Sequence, residues 1–140
     1  MSGPERPIAA AGVVVWRGQE VLLIRRGKPP YEGLWSIPGG RIQPGEPVRE
    51  TALRELREET GITAEIAGLI DVVDSIGDHG HYVLIDFAAV WTAGEPVAGD
   101  DAAEAAFVPW REALKRLDWD QTRRVIEESR ALIPPPSLAE

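Results

Sequence analysis

The sequence predicts one domain of the α/β or α+β class, with strands and helices packed in layers around one sheet. Three observations predict this class. The chain has 140 residues, a length that suits a single domain with a core of its own. Hydrophobic residues make up 44% of it and charged residues 27%, as in ordinary globular proteins. Strand-like and helix-like segments follow one another without an internal repeat or a boundary, so we expect one domain over residues 1–140.

The first third of the chain predicts extended structure. Residues 8–16 are apolar and β-branched towards their end, and residues 21–25 follow after the polar sequence RGQE. These two segments are therefore predicted to form a hairpin. Residues 27–33 hold two prolines and two glycines and are predicted to be a loop. Residues 34–38 return to extended structure, which we expect Gly39 and Gly40 to break.

A helix is predicted from about residue 47 to residue 60. Pro47 suits the first helical position, where its missing N–H has no consequence, and Gly61 suits the position just past the end. The helix has an apolar stripe, formed by Ala52, Leu53 and Leu56, with Val48 at its margin.

Three glutamates lie beside this stripe. Glu55, Glu58 and Glu59 stand at spacings i, i+3 and i+4, so they project from one face of the helix. Like charges at such spacings destabilise a helix by roughly 0.2–0.5 kcal/mol per pair. A solvated helix with salt bridges is the simpler interpretation, and Glu50–Arg54 is an i, i+4 pair of opposite charge that supports it. The repulsion between acids nevertheless calls for another explanation.

The second half of the chain predicts further strands and two more helices. Residues 66–76 and 81–91 are strand-like and are separated by the turn sequence GDHG. Residues 94–104 are predicted to be a loop rich in Gly, Pro and Asp, and residues 107–108 a short strand. Residues 110–117 and 120–133 have helical periodicity. Residues 134–140 are predicted to be a flexible, proline-rich tail.

Composition excludes several kinds of chemistry and location. The chain has no cysteine, which excludes disulfides, thiolate catalysis and cysteine-ligated zinc. Its first ten residues do not resemble a signal peptide, and no apolar run approaches the roughly 20 residues that span a bilayer. We therefore expect a cytoplasmic protein without a membrane partner. A net charge of −8 disfavours binding to a nucleic-acid polymer, and an anionic small molecule would need divalent cations to bind.

Clustered carboxylates beside a backbone carbonyl would form a site made only of oxygen ligands. Such a site suits hard cations, above all Mg²⁺, which often bridges to substrate phosphates. The predicted helix borders the sequence Pro38-Gly39-Gly40, whose backbone could supply the carbonyl. Metal binding would relieve the repulsion between the glutamates, which explains why they are clustered.

Residues 40–62 resemble the Nudix box of the MutT-like hydrolases, G-x5-E-x7-R-E-U-x-E-E-x-G-U, where U is a bulky aliphatic residue. All nine defined positions match: Gly40, Glu46, Arg54, Glu55, Leu56, Glu58, Glu59, Gly61 and Ile62. The resemblance implies an α/β/α sandwich with a mixed sheet. It also implies hydrolysis of a nucleoside diphosphate linked to another moiety, with Mg²⁺ or Mn²⁺ as cofactor.

The resemblance also implies a metal site. Glu55, Glu58 and Glu59 become metal ligands, with the carbonyl of Gly40 beside them. The glycine is expected to permit a loop conformation with positive φ that aims this carbonyl at the metal. Arg54 would orient the acidic cluster; the alternative for it is a simple surface ion pair.

Two further residues of the box have structural roles by the same resemblance. Glu46 is expected to brace the loop and the helix through a salt bridge or hydrogen bonds, and it can favour the helix dipole at the N-terminus. Gly61 is expected to end the helix.

The general base is open between a residue of the box and a residue of a distant loop. A metal lowers the pKa of a bound water, and a carboxylate must accept the proton of that water. Glu55 is the first candidate. Glu104, together with Asp100 and Asp101, is the alternative in the predicted loop 94–104, where solubility or turn capping would also explain the acids.

Arginines near the box are candidate phosphate contacts, because a guanidinium binds phosphate through two parallel hydrogen bonds. These are Arg25, Arg26 and Arg41. If the strand that carries Arg25 and Arg26 alternates, only one of the two faces the site.

The sequence leaves the substrate and the assembly open. Compounds of the ADP-ribose or nucleotide-sugar type and normal or oxidised nucleoside triphosphates are both compatible with it. The expected partner is a small nucleoside diphosphate derivative, and a homodimer is one option for the assembly. A Nudix-fold sensor that binds a nucleotide without cleaving it is the alternative function, although such a domain is expected to lose box carboxylates. An RNA-binding role is disfavoured by the net charge.

Overall fold

The structure, a computed structural model, describes residues 6–29 and 31–138, and its centre is a sheet between layers of helices. In these residues the sheet has seven strands: β1 (Ile8–Arg17), β2 (Glu20–Arg26), β3 (Trp35–Ser36), β4 (Gly39–Arg41), β5 (Thr63–Gly77), β6 (Gly80–Ala93) and β7 (Ala102–Pro109). The helices are α1 (Val48–Thr60), α2 (Trp110–Arg116), α3 (Asp120–Ser129) and α4 (Pro135–Leu138), with a 3-10 turn at Arg130–Leu132. Pro30 of the predicted loop and residues 139 and 140 of the predicted tail lie outside the described residues.

The sheet is mixed. Its strand order is β3-β2-β1-β6-β5, while β4 pairs with β1 and β7 pairs with β2. β1 and β6 run parallel, from the pair Ile8 and Tyr82 to the pair Trp16 and Val90, and the remaining pairs are antiparallel. The predicted mixed sheet is confirmed.

Alternate residues of β1 face the two helical layers, because successive side chains of a strand point to opposite faces. Val13 and Val15 belong to the core cluster under α1, together with Leu56. Val14 and Trp16 belong to the cluster on the other face, which contains buried residues of α2 and α3. The Trp16 indole N–H also donates to Ser129 Oγ of α3, at 2.8 Å. The predicted α/β/α sandwich is confirmed.

The helix α1 begins and ends within a residue of the predicted bounds. Pro47 precedes it with a φ of −62°, as the ring requires. Gly61 follows with a φ of 73°, in the left-handed region, and its N–H donates to the carbonyl of Arg57 at 2.9 Å. A helix that ends in this conformation favours glycine, because other side chains are strained there.

The prediction that Gly39 and Gly40 break the extended segment is wrong. Together with Arg41 they form β4, in which Gly39 pairs with Gly12 and Gly40 with Ala11 of β1. A methyl group on Gly39 would place its carbon 2.5 Å from the carbonyl oxygen of Ala11. The glycines therefore permit a close approach of two strands and do not act as strand breakers here.

Two predictions for the second half of the chain are also corrected. The loop predicted for residues 94–104 ends at residue 101. Ala102–Pro109 forms a full strand that pairs with β2 and is longer than the predicted strand at 107–108. Pro135–Leu138, expected in a flexible tail, form the short helix α4. Leu138 packs against the core, and Gln19 donates a hydrogen bond to its carbonyl. In the described part of the chain, no helix is long and apolar enough to cross a membrane.

Candidate metal centre

Three carboxylates meet beside the helix α1. One oxygen each from Glu55, Glu58 and Asp100 lies within 4.8 Å of the other two. Glu55 and Glu58 project from the same face of α1, and Asp100 comes from the loop between β6 and β7. The structure thus brings two of the three predicted box glutamates together with an acid from a distant part of the sequence.

Glu55 lies directly against the backbone of Gly40. A methyl group on Gly40 would place its carbon 1.7 Å from Oε2 of Glu55, so no other residue fits there while the glutamate keeps its position. Gly40 does not adopt a positive φ, and the expectation of a left-handed loop conformation is therefore wrong. The glycine is required because the carboxylate occupies the space of its side chain. Burial raises the pKa of Glu55 to about 7, and the charge of Arg54 opposes this shift.

Glu59 is turned towards β4. Its side chain is buried, and Oε1 accepts a hydrogen bond from the backbone N–H of Gly39 at 2.9 Å. Burial raises the pKa of Glu59 to about 8, and this hydrogen bond lowers it in part. In the described residues Glu59 is not one of the three carboxylates within 4.8 Å of one another, and its role as a metal ligand stays a prediction.

Arg54 connects the acids to the loop that precedes α1. Its Nε lies 2.6 Å from Oε2 of Glu46, and its Nη1 lies 2.9 Å from Oε1 of Glu58 and 3.6 Å from Oε1 of Glu55. The side chains of Arg54 and Glu46 are only 19% and 15% exposed, so this is not a simple surface ion pair. Glu46 also accepts a hydrogen bond from Thr51 Oγ1 at 2.7 Å. The hydrogen bond from Arg54 lowers the pKa of Glu46 to about 2, which keeps Glu46 ionised.

Glu104 does not lie in the predicted loop, so this placement is corrected, while its role as the alternative base stays a prediction. It stands in β7 opposite Arg25 of β2, and its Oε1 lies 2.7 Å from Nη2 of that arginine. Pairing between two sheet strands fixes it there, outside the group of Glu55, Glu58 and Asp100 in the described structure. Asp100 is the loop acid that reaches the site. The sequence contained this acid as a candidate, but nothing in its spacing distinguished it from Glu104.

The three candidate phosphate-binding arginines have different surroundings. Arg25 pairs with Glu104, as described above. Arg41 donates to the hydroxyl of Tyr82 at 3.1 Å. The charge of Arg26 lowers the pKa of Glu59, which places Arg26 on the side of the acids. Of the two neighbouring arginines on β2, Arg26 is therefore the one whose charge acts on an acid of the box.

The donor set fits a hard divalent cation. Three carboxylates supply oxygen ligands only, which is the ligand type that Mg²⁺ and Mn²⁺ prefer in proteins. Three like charges within 4.8 Å repel one another, and Arg54 offsets this repulsion from the side of Glu55 and Glu58 only. Residues that would hold the ion here are Glu55, Glu58 and Asp100.

Known proteins resemble this chain in sequence and in fold. A NUDIX domain model matches residues 6–128. The chain is 37% identical over 103 residues to the ADP-ribose pyrophosphatase of Methanocaldococcus jannaschii, covering 72% of this chain and 61% of that protein. It is 40% identical over 119 residues to the putative 8-oxo-dGTP diphosphatase 2 of Mycobacterium tuberculosis, covering 80% of this chain and 79% of that protein.

A solved structure gives the same result. The crystal structure of a MutT NUDIX hydrolase from Burkholderia pseudomallei superposes with a TM-score of 0.76 and 31% sequence identity, covering 89% of this chain and 98% of that one. This chain spans about three fifths of the length of the Methanocaldococcus relative. Since the domain model covers most of the sequence and the box residues form the acidic centre, the chain belongs to the Nudix family.

Proposed function

We propose that this chain is a Mg²⁺-dependent pyrophosphohydrolase that cleaves a nucleoside diphosphate linked to another moiety. The observation that carries the proposal is the group formed by Glu55, Glu58 and Asp100, whose carboxylate oxygens lie within 4.8 Å of one another. Carboxylate oxygens at this separation can coordinate one divalent cation, and the oxygens of a diphosphate can bind the same cation. Mn²⁺ is the expected substitute for Mg²⁺.

The residues of the site have different roles in the proposed reaction. A bound divalent ion supplies positive charge for the diphosphate and acidifies a water molecule. Glu55 is our candidate for the group that accepts the proton of the attacking water, since it lies between Arg54 and the backbone of Gly40. Arg54 holds Glu55 and Glu58 in place, and Arg26 is the candidate contact for a substrate phosphate.

The names of two relatives support a proposal for the substrate class. Proteins 37% and 40% identical to this chain are named as an ADP-ribose pyrophosphatase and as a putative 8-oxo-dGTP diphosphatase. We therefore propose that the substrate is a small nucleotide, either of the ADP-ribose type or an oxidised nucleoside triphosphate. Glu55, Glu58 and Glu59 are all present, which favours an enzyme over a sensor that only binds the nucleotide.

The test is a product assay over a panel of nucleotides. ADP-ribose, nucleotide sugars, dinucleoside polyphosphates and normal and oxidised nucleoside triphosphates are incubated with Mg²⁺ or with excess chelator. We expect cleavage of at least one class with Mg²⁺ and none with chelator. Glu58→Gln should lower kcat by about 100-fold or more, as expected when a charged ligand is lost. The matched control is Glu50→Gln, at an exposed position of the same helix. Full turnover in chelator would refute the proposal.

A further inference from the structure

An apolar surface lies on the outer part of the hairpin formed by β5 and β6, on the face of the sheet that carries α1. The helix covers this face as far as Phe87, which is buried in one core cluster with Leu56. Beyond Phe87 the aliphatic side chains of β5 are uncovered: Leu69, Val72 and Ile76 are 47%, 49% and 70% exposed. We call these three side chains the hairpin patch.

The pairing of the two strands places the hairpin patch on one face. Its partners on β6 are alternate residues of that strand and therefore point to the same side: Phe87, Ile85 and His81. β5 is the last strand of the sheet, and three register shifts interrupt its pairing before Asp71. Irregular pairing of this kind at an edge strand opposes the addition of a further strand. A partner of the hairpin patch is thus expected to pack on its face and not to extend the sheet.

A cation without an acidic partner stands at one end of the hairpin patch. The guanidinium carbon of Arg49, in the first turn of α1, lies 5.1 Å from the ring centroid of Phe87. The helix residues three and four positions further on are Ala52 and Leu53, and in the described part of the chain Arg49 forms no ion pair. A positive charge in the first turn of a helix is also unfavourable with the helix dipole. An acid from outside the chain would compensate this charge.

An acid stands towards the other end of the hairpin patch, near the tip of the hairpin. Asp74 pairs with Val83 of β6, on the same face as Val72, and its side chain is 61% exposed. Its Oδ1 lies 2.9 Å from His81 Nε2. Along β6, Val83 and Phe87 are four residues apart, or roughly 13 Å at about 3.3 Å per residue. The surface therefore has a positive charge on one side, a negative charge on the other and aliphatic side chains between them.

We propose that the hairpin patch is the contact between two copies of this chain in a symmetric dimer. A rotation by 180° about an axis near Val72 exchanges the two ends of the surface, so Arg49 of each copy faces Asp74 of the other. The same contact covers the aliphatic side chains of both copies. Opposite charges at the two ends make the surface complementary to itself, whereas a nucleic acid or an anionic membrane would require charge of one sign.

The inference goes beyond the proposed function and does not depend on it. The residues of the hairpin patch, together with Arg49 and Asp74, are separate from the acidic group formed by Glu55, Glu58 and Asp100. The state of assembly can therefore be measured without nucleotide and without metal.

The first test measures the molar mass of the protein by light scattering and sedimentation. We expect a dimer for the wild type at about 100 µM. Val72→Glu places a charge at the centre of the contact and should raise the Kd of the dimer by about 100-fold or more. Val97→Glu is the matched control, because it introduces the same charge at a valine that is exposed elsewhere, and it should assemble as the wild type does. Circular dichroism checks that both variants are folded.

The second test reverses the two charges one at a time. Arg49→Glu and Asp74→Arg should each be monomeric, because each symmetric dimer would then bring like charges together twice. An equimolar mixture of the two variants should form a mixed dimer. In that dimer one contact carries both substitutions and the other carries neither, so opposite charges meet in both. Tags of different length identify the mixed dimer, and a purely local effect of either substitution would not be reversed by mixing.

Each other result would overturn the proposal. A monomeric wild type that sediments with phosphatidylcholine vesicles would show that the hairpin patch binds a membrane, and a wild type that stays monomeric without binding them would show that it is no contact between copies. A dimer that persists in Val72→Glu and in both charge reversals would have its contact elsewhere. Hydrolysis of a nucleotide by a monomeric wild type would leave the proposed function intact, and a dimer without activity would leave this inference intact.

Discussion

Asp86 offers a quantitative test of how the fold handles a buried acid away from the metal centre. It lies on β6, 7% exposed, opposite Gly12 of β1 and Asp71 of β5. A methyl group on Gly12 would place its carbon 2.6 Å from Oδ1 of Asp86, so the aspartate occupies the space of the missing side chain. Burial raises the pKa of Asp86 to about 6; Asp71 raises it further, and Arg124 of α3 lowers it.

The sign and size of the effect follow from this shift. The ordinary pKa of an aspartate is 3.8, so between pH 3.8 and about 6 the folded protein binds a proton that the unfolded chain releases. The neutral carboxyl of Asp86 therefore makes its full contribution to the free energy of unfolding below pH 3.8. This contribution is lost as the pH rises through about 6. A shift of about two pH units corresponds to about 3 kcal/mol, which is the cost of the charged Asp86 at neutral pH.

Asp86→Asn removes this charge and keeps the shape of the side chain. Relative to the wild type, we expect the free energy of unfolding to rise by about 3 kcal/mol at pH 7.5 and by only about 1 kcal/mol at pH 4.5. Urea unfolding of both proteins at the two pH values measures the difference. Asp78→Asn, in the exposed β5–β6 turn, is the control and should show little change at either pH. An equal effect of Asp86→Asn at both pH values would refute the electrostatic reasoning.

Three further predictions concern the box and the arginine pair. Gly40→Ala should lower kcat by about 100-fold, because the new methyl group displaces the carboxylate of Glu55 by more than about one ångström; unchanged kinetics would contradict the close contact. Glu104→Gln should leave kcat little changed, whereas Glu55→Gln should lower it by about 10²- to 10⁴-fold; the reverse order in steady-state kinetics would restore Glu104 as the base. Glu46→Gln should lower the melting temperature more than the exposed Glu50→Gln does, because it breaks the half-buried contact with Arg54; equal melting curves would contradict this.

The sequence alone was sufficient to predict the helix and its acids. Proline before the helix, glycine after it and the spacing of Glu55 and Glu58 are local features, and local features determine the bounds and faces of a helix. The same is true of β1, β2, β5 and β6, whose sequences contain apolar and β-branched runs. These predictions needed no knowledge of which segments meet in space.

Features that depend on distant contacts were predicted less well. β7 begins at Ala102 because it pairs with β2, and this pairing places Glu104 in a strand and not in the predicted loop. The position of Asp100 depends on the hydrogen bonds between its loop and the end of α1, which join residues far apart in sequence. Position 40 requires glycine because the side chain of Glu55, in α1, occupies the adjacent space. The backbone conformation of Gly40 itself does not require it. Each of these contacts exists only after the chain has folded.

Contacts with β4 and with Arg54 hold the acids that are clustered on α1. Glu59 is bound by the N–H of Gly39, Glu55 fills the space that Gly40 leaves open, and Glu58 pairs with Arg54. Glu58 and Glu59 thus have polar partners in the folded protein, whereas burial of Glu55 disfavours its charge and raises its pKa to about 7. The loop carboxylate of Asp100 adds a further negative charge that Arg54 alone does not balance. The folded centre therefore has an excess of negative charge, and a divalent cation that binds it should stabilise the native state by an amount that rises with the logarithm of the ratio of its concentration to its Kd.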